Sequence, residues 1–363
     1  MVDDYFQRSG HDPRGGARMV LKTATFFLWF AASYALLVLW ATAWWTAVPL
    51  AISLGLSLAG IGFSVMHDGG HRAYSNRPGT NRLAALSLDL VGASSFVWHF
   101  KHNVLHHTYT NVVDADDDIE FKPFFRLTSS QPRRWFHRLQ FLYWPVLLCF
   151  LTTKWILLDD LRDLARGHIA GHRMPRPSAS DLLIVAVSKL NYLVWAFAIP
   201  LLFVDPLNLL AGYALATSVA GLVLGTVFQL AHAVEDASFF APEEGAPLSL
   251  PWAEHQLATT VDFARANRLL TWYVGGLNHQ VEHHLFPRVS HRHYPALAPL
   301  VRKVCARRGV PVLDHATFAG ALGAHLRHLY RMGCPAVRQG AGDSADLPRS
   351  EHRPALTQGQ AIG

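Results

Sequence analysis

The stretch FFLWFAASYALLVLWATAWWTAVPLAISLGLSLAGIGFSVMHDGGH, residues 26–71, contains no lysine or arginine and ends in a pair of histidines. It belongs to a longer gap without basic residues, from Lys22 to Arg72, and a second gap runs from Lys189 to Arg265. A membrane-spanning helix needs about 20 mostly apolar residues, so each gap has room for two spans and a short turn. We predict spans at about 26–45, 48–66, 182–202 and 207–228, arranged as two hairpins.

The composition agrees with a membrane protein. Hydrophobic residues make up 51% of the chain and charged residues only 16%, whereas an average soluble domain has about 25% charged residues. The 11 tryptophans fit membrane interfaces, and the net charge of +6 fits loops that face anionic lipid rather than nucleic acid. Cys149, Cys305 and Cys334 form no CxxC pair, which argues against a disulfide scaffold or a thiolate zinc site. The N-terminus is polar through Arg18, so no cleavable signal peptide is expected.

Basic residues lie outside both hairpins. Positive charge marks the cytoplasmic side, so we expect both termini and the middle region to be cytosolic, in an inner or plasma membrane. Phe141–Leu158 and Leu83–Val97 are apolar, and we predict that they lie in the membrane plane. The fold class is therefore an all-α integral membrane protein with a cytosolic helical domain. We divide the chain into a cytosolic segment 1–22, one catalytic domain 23–334 and a disordered tail 335–363.

Histidines are concentrated at three places in the sequence. They form the motifs HDGGH, HNVLHH and QVEHH, with a further histidine in QLAHAVE; the residues are His67, His71, His102, His106, His107, His283, His284 and His232. Histidines four residues apart share one face of a helix. The topology, inferred from lysine and arginine alone, places all of these motifs at one membrane face. We therefore predict a metal site, and expect the isolated His99, His137 and His255 to be surface or core residues.

The number of histidines bears on the metal. Imidazole suits zinc, iron, copper and nickel, and a zinc site usually takes three or four protein ligands. Eight histidines are enough for two ions that keep open positions, and no HExxH protease motif occurs. The set favours two transition-metal ions that activate oxygen over hydrolysis, although the residues alone leave zinc open.

The motifs HDGGH, HNVLHHTYTN and GGLNHQVEHHLFP resemble the three histidine boxes of the membrane fatty acid desaturases, over about Thr23 to Arg308. Glutamine at the first position of the third box, together with QLAHAVE, resembles the front-end branch that acts on acyl-CoA or acyl-lipid. The resemblance implies a non-haem di-iron centre that uses O2, with the eight histidines named above as its ligands. It also makes Gln280 and Asn278 candidates to bind iron or an iron-bound water.

Carboxylates near the boxes have expected roles as well. Asp68, Glu235 and Glu282 are candidates to accept hydrogen bonds from ligand rings and so fix their tautomers. For the acidic run DADDDIE, Asp114–Glu120, we favour a solvated loop over a metal role. Trp98, Phe96 and Trp272 are candidate walls of an apolar acyl tunnel, although plain core packing is the commoner role for any one of them.

The resemblance implies a desaturase that places a cis double bond in an acyl-CoA or acyl-lipid. The sequence has no HPGG haem motif, so a separate electron donor, ferredoxin or free cytochrome b5, is expected. Basic residues form either its docking face or a lipid-facing surface; they are Arg72, Arg77, Arg82, Lys101, Arg288 and Arg292. One alternative is a lipid hydroxylase or related di-iron oxygenase. A metal transporter fits less well, because its ligands would lie at mid-membrane and these motifs lie at span ends.

Overall fold

The computed structural model describes residues 1–241 and 250–334, and that part of the chain is mostly helical. The predicted disordered tail, 335–363, lies outside the described residues. The α-helices, numbered α1 to α18 in chain order, are Val2–Ser9, Ala17–Leu39, Trp44–Ile61, His67–Gly70, Pro78–Ala85, Ser87–Leu90, Ser95–Trp98, His107–Tyr109, Gln140–Cys149, Leu151–Lys154, Asp160–Arg166, Ala179–Leu193, Pro206–His232, Trp252–Thr259, Arg268–Tyr273, Gln280–Leu285, Tyr294–Arg308 and Phe318–Gly333.

Shorter elements connect these helices. The π-helical segments are Gly62–Met66, His99–His106, Trp155–Asp159 and Val194–Ala198. The 3-10 turns are Asp117–Ile119, Trp135–Leu139, Pro200–Leu202 and His291–His293. Strands β1 (His168–Ile169) and β2 (His172–Arg173) pair antiparallel, whereas β3 (Asp262–Phe263) and β4 (Asp314–His315) pair in parallel.

Four continuous helices are long and apolar enough to cross a membrane, and they confirm the predicted all-α membrane fold. They are Ala17–Leu39, Trp44–Gly70, Ala179–Leu202 and Pro206–His232. The first begins well before the predicted start at residue 26. The second and fourth extend past the predicted ends at 66 and 228, because the helical backbone continues without a break into the histidine motifs. As a result, the spans themselves carry His67 and His232.

The two predicted hairpins are α2 with α3 and α12 with α13, and their helices differ in how closely they pack. Helix α3 lies against both α2 and α13. Helix α12 instead leads into Trp195, whose ring meets Phe30 of α2 at 5.4 Å and whose carbonyl accepts from the Tyr34 hydroxyl at 2.6 Å. Helices α12 and α13 are splayed apart and meet where the Tyr192 hydroxyl donates to the Tyr213 hydroxyl at 2.9 Å. The gap between the pairs holds a cavity of about 560 Å³.

The middle region contains two further apolar helix pairs, both bent. Pro78–Leu90 and Ser95–Tyr109 meet at 115°, and Trp135–Cys149 and Leu151–Arg166 meet at 54°. The segments predicted to lie in the membrane plane fall on these two pairs. Their bends show that neither forms one straight rod; their in-plane position stays a prediction. The first pair carries the second histidine motif.

Close contact between α3 and α13 leads to a prediction about stability. A Cβ added at Gly55 would meet the Ala216 carbonyl and the Val219 side chain, whereas one added at Gly212 of α13 would meet nothing within 4 Å. Alanine favours a helix over glycine by roughly 0.5–1 kcal/mol, but overpacking costs about 1–3 kcal/mol. We expect Gly55→Ala to lower the thermal unfolding midpoint of detergent-purified protein and Gly212→Ala to leave it equal or higher. Equal midpoints for the two variants would contradict this packing.

Candidate metal centre

Four parts of the fold present the eight histidines of the motifs. Helix α4 begins at His67, and His71 follows directly after its end; α4 itself follows directly on the π-helical segment Gly62–Met66. A second π-helical segment, His99–His106, presents His102 and His106 and continues into α8 with His107. Helix α13 ends at His232, and the short helix α16 carries His283 and His284. π-helical turns change the facing of side chains along a helix and are frequent at functional sites.

The structure brings all eight histidines together, although they lie on separate parts of the chain. The centroids of the rings of His67 and His283 are 4.5 Å apart, and those of His106 and His232 are 4.7 Å apart. The His107 ring lies 4.3 Å from that of His284 and 4.6 Å from that of His71. Each histidine is buried, with at most 8% of its surface exposed. We call these eight residues the histidine cluster.

Within the cluster, ring nitrogens fall into groups small enough to surround an ion. In each of two groups, the ligand atoms lie within 4.8 Å of one another. The first group has four members, His67, His71, His102 and His283, and the second has three, His106, His232 and His284. His107 forms a further group with His283 and His284, so it lies where the first two groups meet. The geometry has room for two neighbouring ions.

One nitrogen of most of these rings contacts the surrounding protein. The His106 Nδ1 lies 3.0 Å from Asp116, and the His284 Nδ1 lies 2.7 Å from the Gln256 side-chain oxygen. The His232 Nδ1 lies 3.1 Å from the Thr259 carbonyl, and the His283 Nδ1 lies 3.2 Å from the Tyr294 hydroxyl. A carboxylate, amide or carbonyl oxygen accepts a hydrogen bond, so Nδ1 of the first three rings carries the proton. That tautomer leaves the Nε2 lone pairs of His106 and His284 free, whereas the His232 Nε2 lies 2.8 Å from the Gln280 side-chain nitrogen.

The opposite nitrogens point into the cluster without a partner. The buried Nε2 atoms that have no hydrogen-bond partner among the described residues belong to His71, His102, His106, His283 and His284, and both ring nitrogens of His107 share this state. A buried polar atom without a partner costs about 1–3 kcal/mol. A bound transition-metal ion gives imidazole lone pairs the partner that they lack. The donor set therefore fits a metal centre of the kind that the sequence predicts.

Burial also keeps two histidines of the cluster uncharged. Burial, followed by repulsion from neighbouring histidines, holds the pKa of His283 and of His284 well below the ordinary value. These imidazoles are therefore neutral at physiological pH, which is the form that binds metal. Although burial alone would raise it, the Lys101 ammonium and the neighbouring histidines hold the pKa of Asp118 below its usual range. Asp118 is thus a carboxylate beside the cluster.

The acidic run is not the solvated loop that we favoured. Asp116 is fully buried and accepts from His106, and Asp118 lies 3.4 Å from the His102 Nδ1. Asp114 alone fits the expectation, since 77% of its side chain is exposed and it pairs with Lys122. The loop turns back over the second histidine motif because the Asn111 backbone N–H also donates to Asp116 at 2.9 Å. Alternation of buried and exposed carboxylates cannot be read from a run of like charges.

Gln280 and Asn278 lie next to the cluster in different ways. The Gln280 side-chain nitrogen is 2.8 Å from the His232 Nε2, and the Gln280 side-chain oxygen is buried without a hydrogen-bond partner among the described residues. Asn278 donates to the Phe263 carbonyl at 3.1 Å and to the Thr271 hydroxyl at 3.0 Å. Gln280 therefore contacts a cluster histidine, whereas the Asn278 amide ties β3 to α15.

The three carboxylates named as tautomer-fixing candidates have other described partners. Asp68 accepts from the Ser290 hydroxyl at 2.9 Å and contacts the His291 Nδ1 at 2.8 Å. Glu235 pairs with Arg327 and Arg331. Glu282 is buried beside His279, and burial raises the pKa of its carboxyl to about 7. The hydrogen bonds to cluster rings come instead from residues that the sequence reasoning did not select, namely Asp116, Asp118, Gln256, Thr259 and Tyr294.

Three isolated histidines stay outside the metal-sized groups of the described chain. His255 lies 2.9 Å from the Thr110 carbonyl, and His137 lies 2.8 Å from the Pro123 carbonyl. The His99 ring contacts the Asn103 amide. These placements agree with the expected structural roles.

Of the aromatic residues expected along a tunnel, only Trp98 lies at the cluster. Its ring stacks on His102 with centroids 4.6 Å apart. The walls of the cavity between the spans, as far as the structure describes them, include none of Phe96, Trp98 and Trp272. Trp272 instead stacks on Phe26 at 5.2 Å, with 41% of its surface exposed.

Asp116 provides a test of how the ring partners support the cluster. Loss of such a partner typically costs about 10–100-fold in metal affinity, so we expect Asp116→Asn to weaken iron binding by roughly that factor. Competition with a chelator, followed by metal analysis of the protein, measures the change. Asp114→Asn is the matched control, because this exposed carboxylate lies two residues away and points to Lys122. Unchanged iron affinity in Asp116→Asn would show that Asp116 does not support metal binding by the histidine cluster.

Known proteins resemble this chain over most of its length. The family model described as Fatty acid desaturase matches residues 42–316. An sn-1 linoleoyl-lipid 6-desaturase of Arthrospira platensis is 36% identical over 332 residues, covering 91% of this chain and 90% of the relative. An enzyme of the same name from Synechocystis is 35% identical, covering 92% and 93%. An acyl-lipid (8-3)-desaturase of Physcomitrium patens is 37% identical, covering 93% of this chain and 71% of the relative.

Proposed function

Because this chain belongs to the fatty acid desaturase family and is a fatty acyl desaturase, we propose that it desaturates an acyl chain carried on a membrane lipid, with O2 and a di-iron centre. The observation that carries the proposal is the convergence of eight buried histidines, six of which have a buried ring nitrogen without a hydrogen-bond partner among the described residues. The acyl-lipid assignment is taken from the relatives, two named for linoleoyl-lipid and one for acyl-lipid substrates. An acyl-CoA is the other carrier considered for this chain.

The proposed ligands are the eight members of the histidine cluster. His67, His71, His102 and His283 would hold one iron, and His106, His232 and His284 the other, with His107 between them. Gln280 and Asn278 stay candidates for binding iron or iron-bound water. When bound, a di-iron centre supplies the O2 chemistry that unactivated C–H bonds require. In balance, the reaction removes two hydrogen atoms from adjacent methylene carbons, takes up two electrons and two protons, and reduces one O2 to two waters.

The protein's own part is to hold neutral, oriented rings away from water. Asp116, Gln256 and the Thr259 carbonyl accept from Nδ1 and direct Nε2 inward. Trp98 stacks on His102 and closes the cluster on the side of the apolar core. Burial of the whole set excludes bulk water, which protects reactive species from side reactions. Asp68, Glu235 and Glu282 stay candidates for support of the rings, acting through their present partners.

The cavity between the spans fits an acyl tail. It follows the second span from Trp44 to Met66, and at 1.5 Å per residue these positions lie about 33 Å apart, close to the roughly 30 Å hydrocarbon thickness of a bilayer. Its inner end is lined by Met66, which directly precedes His67 and packs in one apolar cluster with Trp98. Each methylene that leaves water contributes about 0.8 kcal/mol, so the tail can supply most of the binding energy.

Orientation and electron supply complete the proposal. We place the termini and the histidine cluster, which belongs to the catalytic domain 23–334, on the cytosolic side of the cell membrane, following the positive-inside rule. Ferredoxin or a free cytochrome b5 would deliver the electrons at an exposed basic surface formed by Arg72, Arg77 and Arg288. Lys101 is a weaker candidate for that surface, because its ammonium is bound by Asp117 at 2.8 Å and Asp118 at 3.3 Å.

Lipid analysis after expression tests the function. In a host that supplies reduced carriers, we expect new cis-alkenoic chains in the glycerolipid fraction, identified by gas chromatography–mass spectrometry after separation of lipid classes. His106→Ala should abolish the product, because it removes a proposed ligand. The control His168→Ala changes an exposed histidine of β1 and should retain activity. New hydroxy acids without a new alkene would favour a hydroxylase, and product confined to acyl-CoA would contradict the acyl-lipid assignment.

The cavity leads to a separate prediction about chain length. Ala47 lines the outer part of the cavity, whereas Ile52 lies on the same helix and is 37% exposed outside it. We expect Ala47→Trp to lower activity on the longest acyl chain at least about tenfold while sparing shorter chains, since each methylene is worth about 1–3 kcal/mol in a fitted apolar pocket. Ile52→Trp should leave the chain-length profile unchanged. Equal profiles for both variants would place the acyl tail elsewhere.

A further inference from the structure

A second group of metal-ligating side chains lies outside the histidine cluster. It consists of Asp262 on β3, His279 before α16 and Glu282 within α16, and we call it the Asp–His–Glu group. Its candidate ligand atoms lie within 4.8 Å of one another. None of the three residues belongs to the ligand set proposed for the iron centre. The group lies where β3 meets the helix that carries His283 and His284.

Burial in the Asp–His–Glu group is almost complete, and its polar atoms lack partners. Asp262 and Glu282 are 0% exposed and His279 is 2% exposed. Both ring nitrogens of His279 and both carboxyl oxygens of Glu282 have no hydrogen-bond partner among the described residues. Polar groups that are buried this deeply are normally satisfied by protein, water or an ion. One nitrogen of His279 and one oxygen of Glu282 lie within 4.8 Å of each other and of an Asp262 oxygen, which indicates that a bound species belongs there.

The spacing suits a small cation. The His279 Nδ1 and a Glu282 carboxyl oxygen are 3.6 Å apart, and ligands of a tetrahedral zinc ion with bonds of about 2.1 Å are about 3.4 Å apart. Asp262 is held in place on its other side, since one oxygen accepts from the Val281 N–H at 3.1 Å. The second oxygen accepts from Arg302 at 3.2 Å, and a carboxylate oxygen keeps a second lone pair for a metal.

The local charges allow a cation despite the nearby arginines. Arg265 pairs with Asp314 at 2.8 Å, and Arg302 lies 3.2 Å from Asp262 and 3.5 Å from Asp314. The described ion pairs include none between Glu282 and an arginine. Three carboxyl groups therefore face two guanidinium groups, so a cation between Asp262 and Glu282 lies among more acidic than basic side chains.

We propose that Asp262, His279 and Glu282 bind a third divalent metal ion, separate from the proposed iron pair. Two oxygens and one imidazole suit a d-block ion such as Zn²⁺, whereas Ca²⁺ and Mg²⁺ take predominantly oxygen ligands. A water completes the coordination. The ion links β3 to α16 and so fixes the helix that presents His283 and His284. Its role is structural, since the Asp–His–Glu group has no contact with the cavity that is assigned to the acyl tail.

The number of metal ions per chain tests this inference. Full-length protein is purified in detergent from cells supplied with iron and zinc, and its iron, zinc and manganese are counted by mass spectrometry against amino-acid analysis. We expect a total of three ions in the wild type, and two in the double variant Asp262→Asn, His279→Gln, with the iron content preserved. Asp314→Asn is the matched control, because it changes a neighbouring carboxylate outside the group and should retain three ions.

The expected count of three includes the two irons of the histidine cluster, and that part rests on the proposed function. The variant His106→Ala distinguishes the iron centre from the third metal site. That variant should lose metal from the histidine cluster and keep the ion of the Asp–His–Glu group. A total of two ions in the wild type would overturn the third site and leave the desaturase proposal intact, and this count does not depend on how well any variant folds. Three ions in the double variant, or loss of its iron instead, would also overturn the assignment.

Discussion

Lone pairs of buried imidazoles impose the strongest constraint on this molecule. Ring nitrogens of six members of the histidine cluster are shielded from water and have no hydrogen-bond partner among the described residues. Each such atom costs about 1–3 kcal/mol, so a cluster of this size would be unstable if it stayed empty of any ligand. The donors are nitrogens of neutral rings, and the group that satisfies them together is a metal centre. The placement of helices, loops and cavity can be understood as the means of bringing those rings together.

Two features of the helices make this convergence possible. Spans two and four end at the cluster, so continuous helices carry His67 and His232 directly. π-helical segments then adjust the facing of the first and second motifs. The space between α12 and α13 holds the cavity that we propose for the acyl tail. The four spans thus line that cavity and carry two of the cluster histidines, and the close contact of α3 with α13 holds this arrangement together.

Much of the fold and the whole histidine cluster could be predicted from sequence, for specific reasons. Gaps without lysine or arginine marked the four spans, because a charged residue in the membrane is costly. Spacing of four residues placed His67 with His71 and His102 with His106. Other features depend on contacts between distant segments: Gln256 reaches His284 and Thr259 reaches His232 only in the folded chain. Asp116 was misassigned because burial of one carboxylate within an acidic run is a tertiary property.

The central claim is that the eight histidines hold a pair of iron ions. Anomalous X-ray scattering at the iron absorption edge, from crystals of the iron-loaded protein, tests it most directly. The account predicts two adjacent iron peaks inside the histidine cluster, one among His67, His71, His102 and His283 and the other among His106, His232 and His284, with His107 between them. A single iron peak, or iron located outside the cluster, would contradict the account.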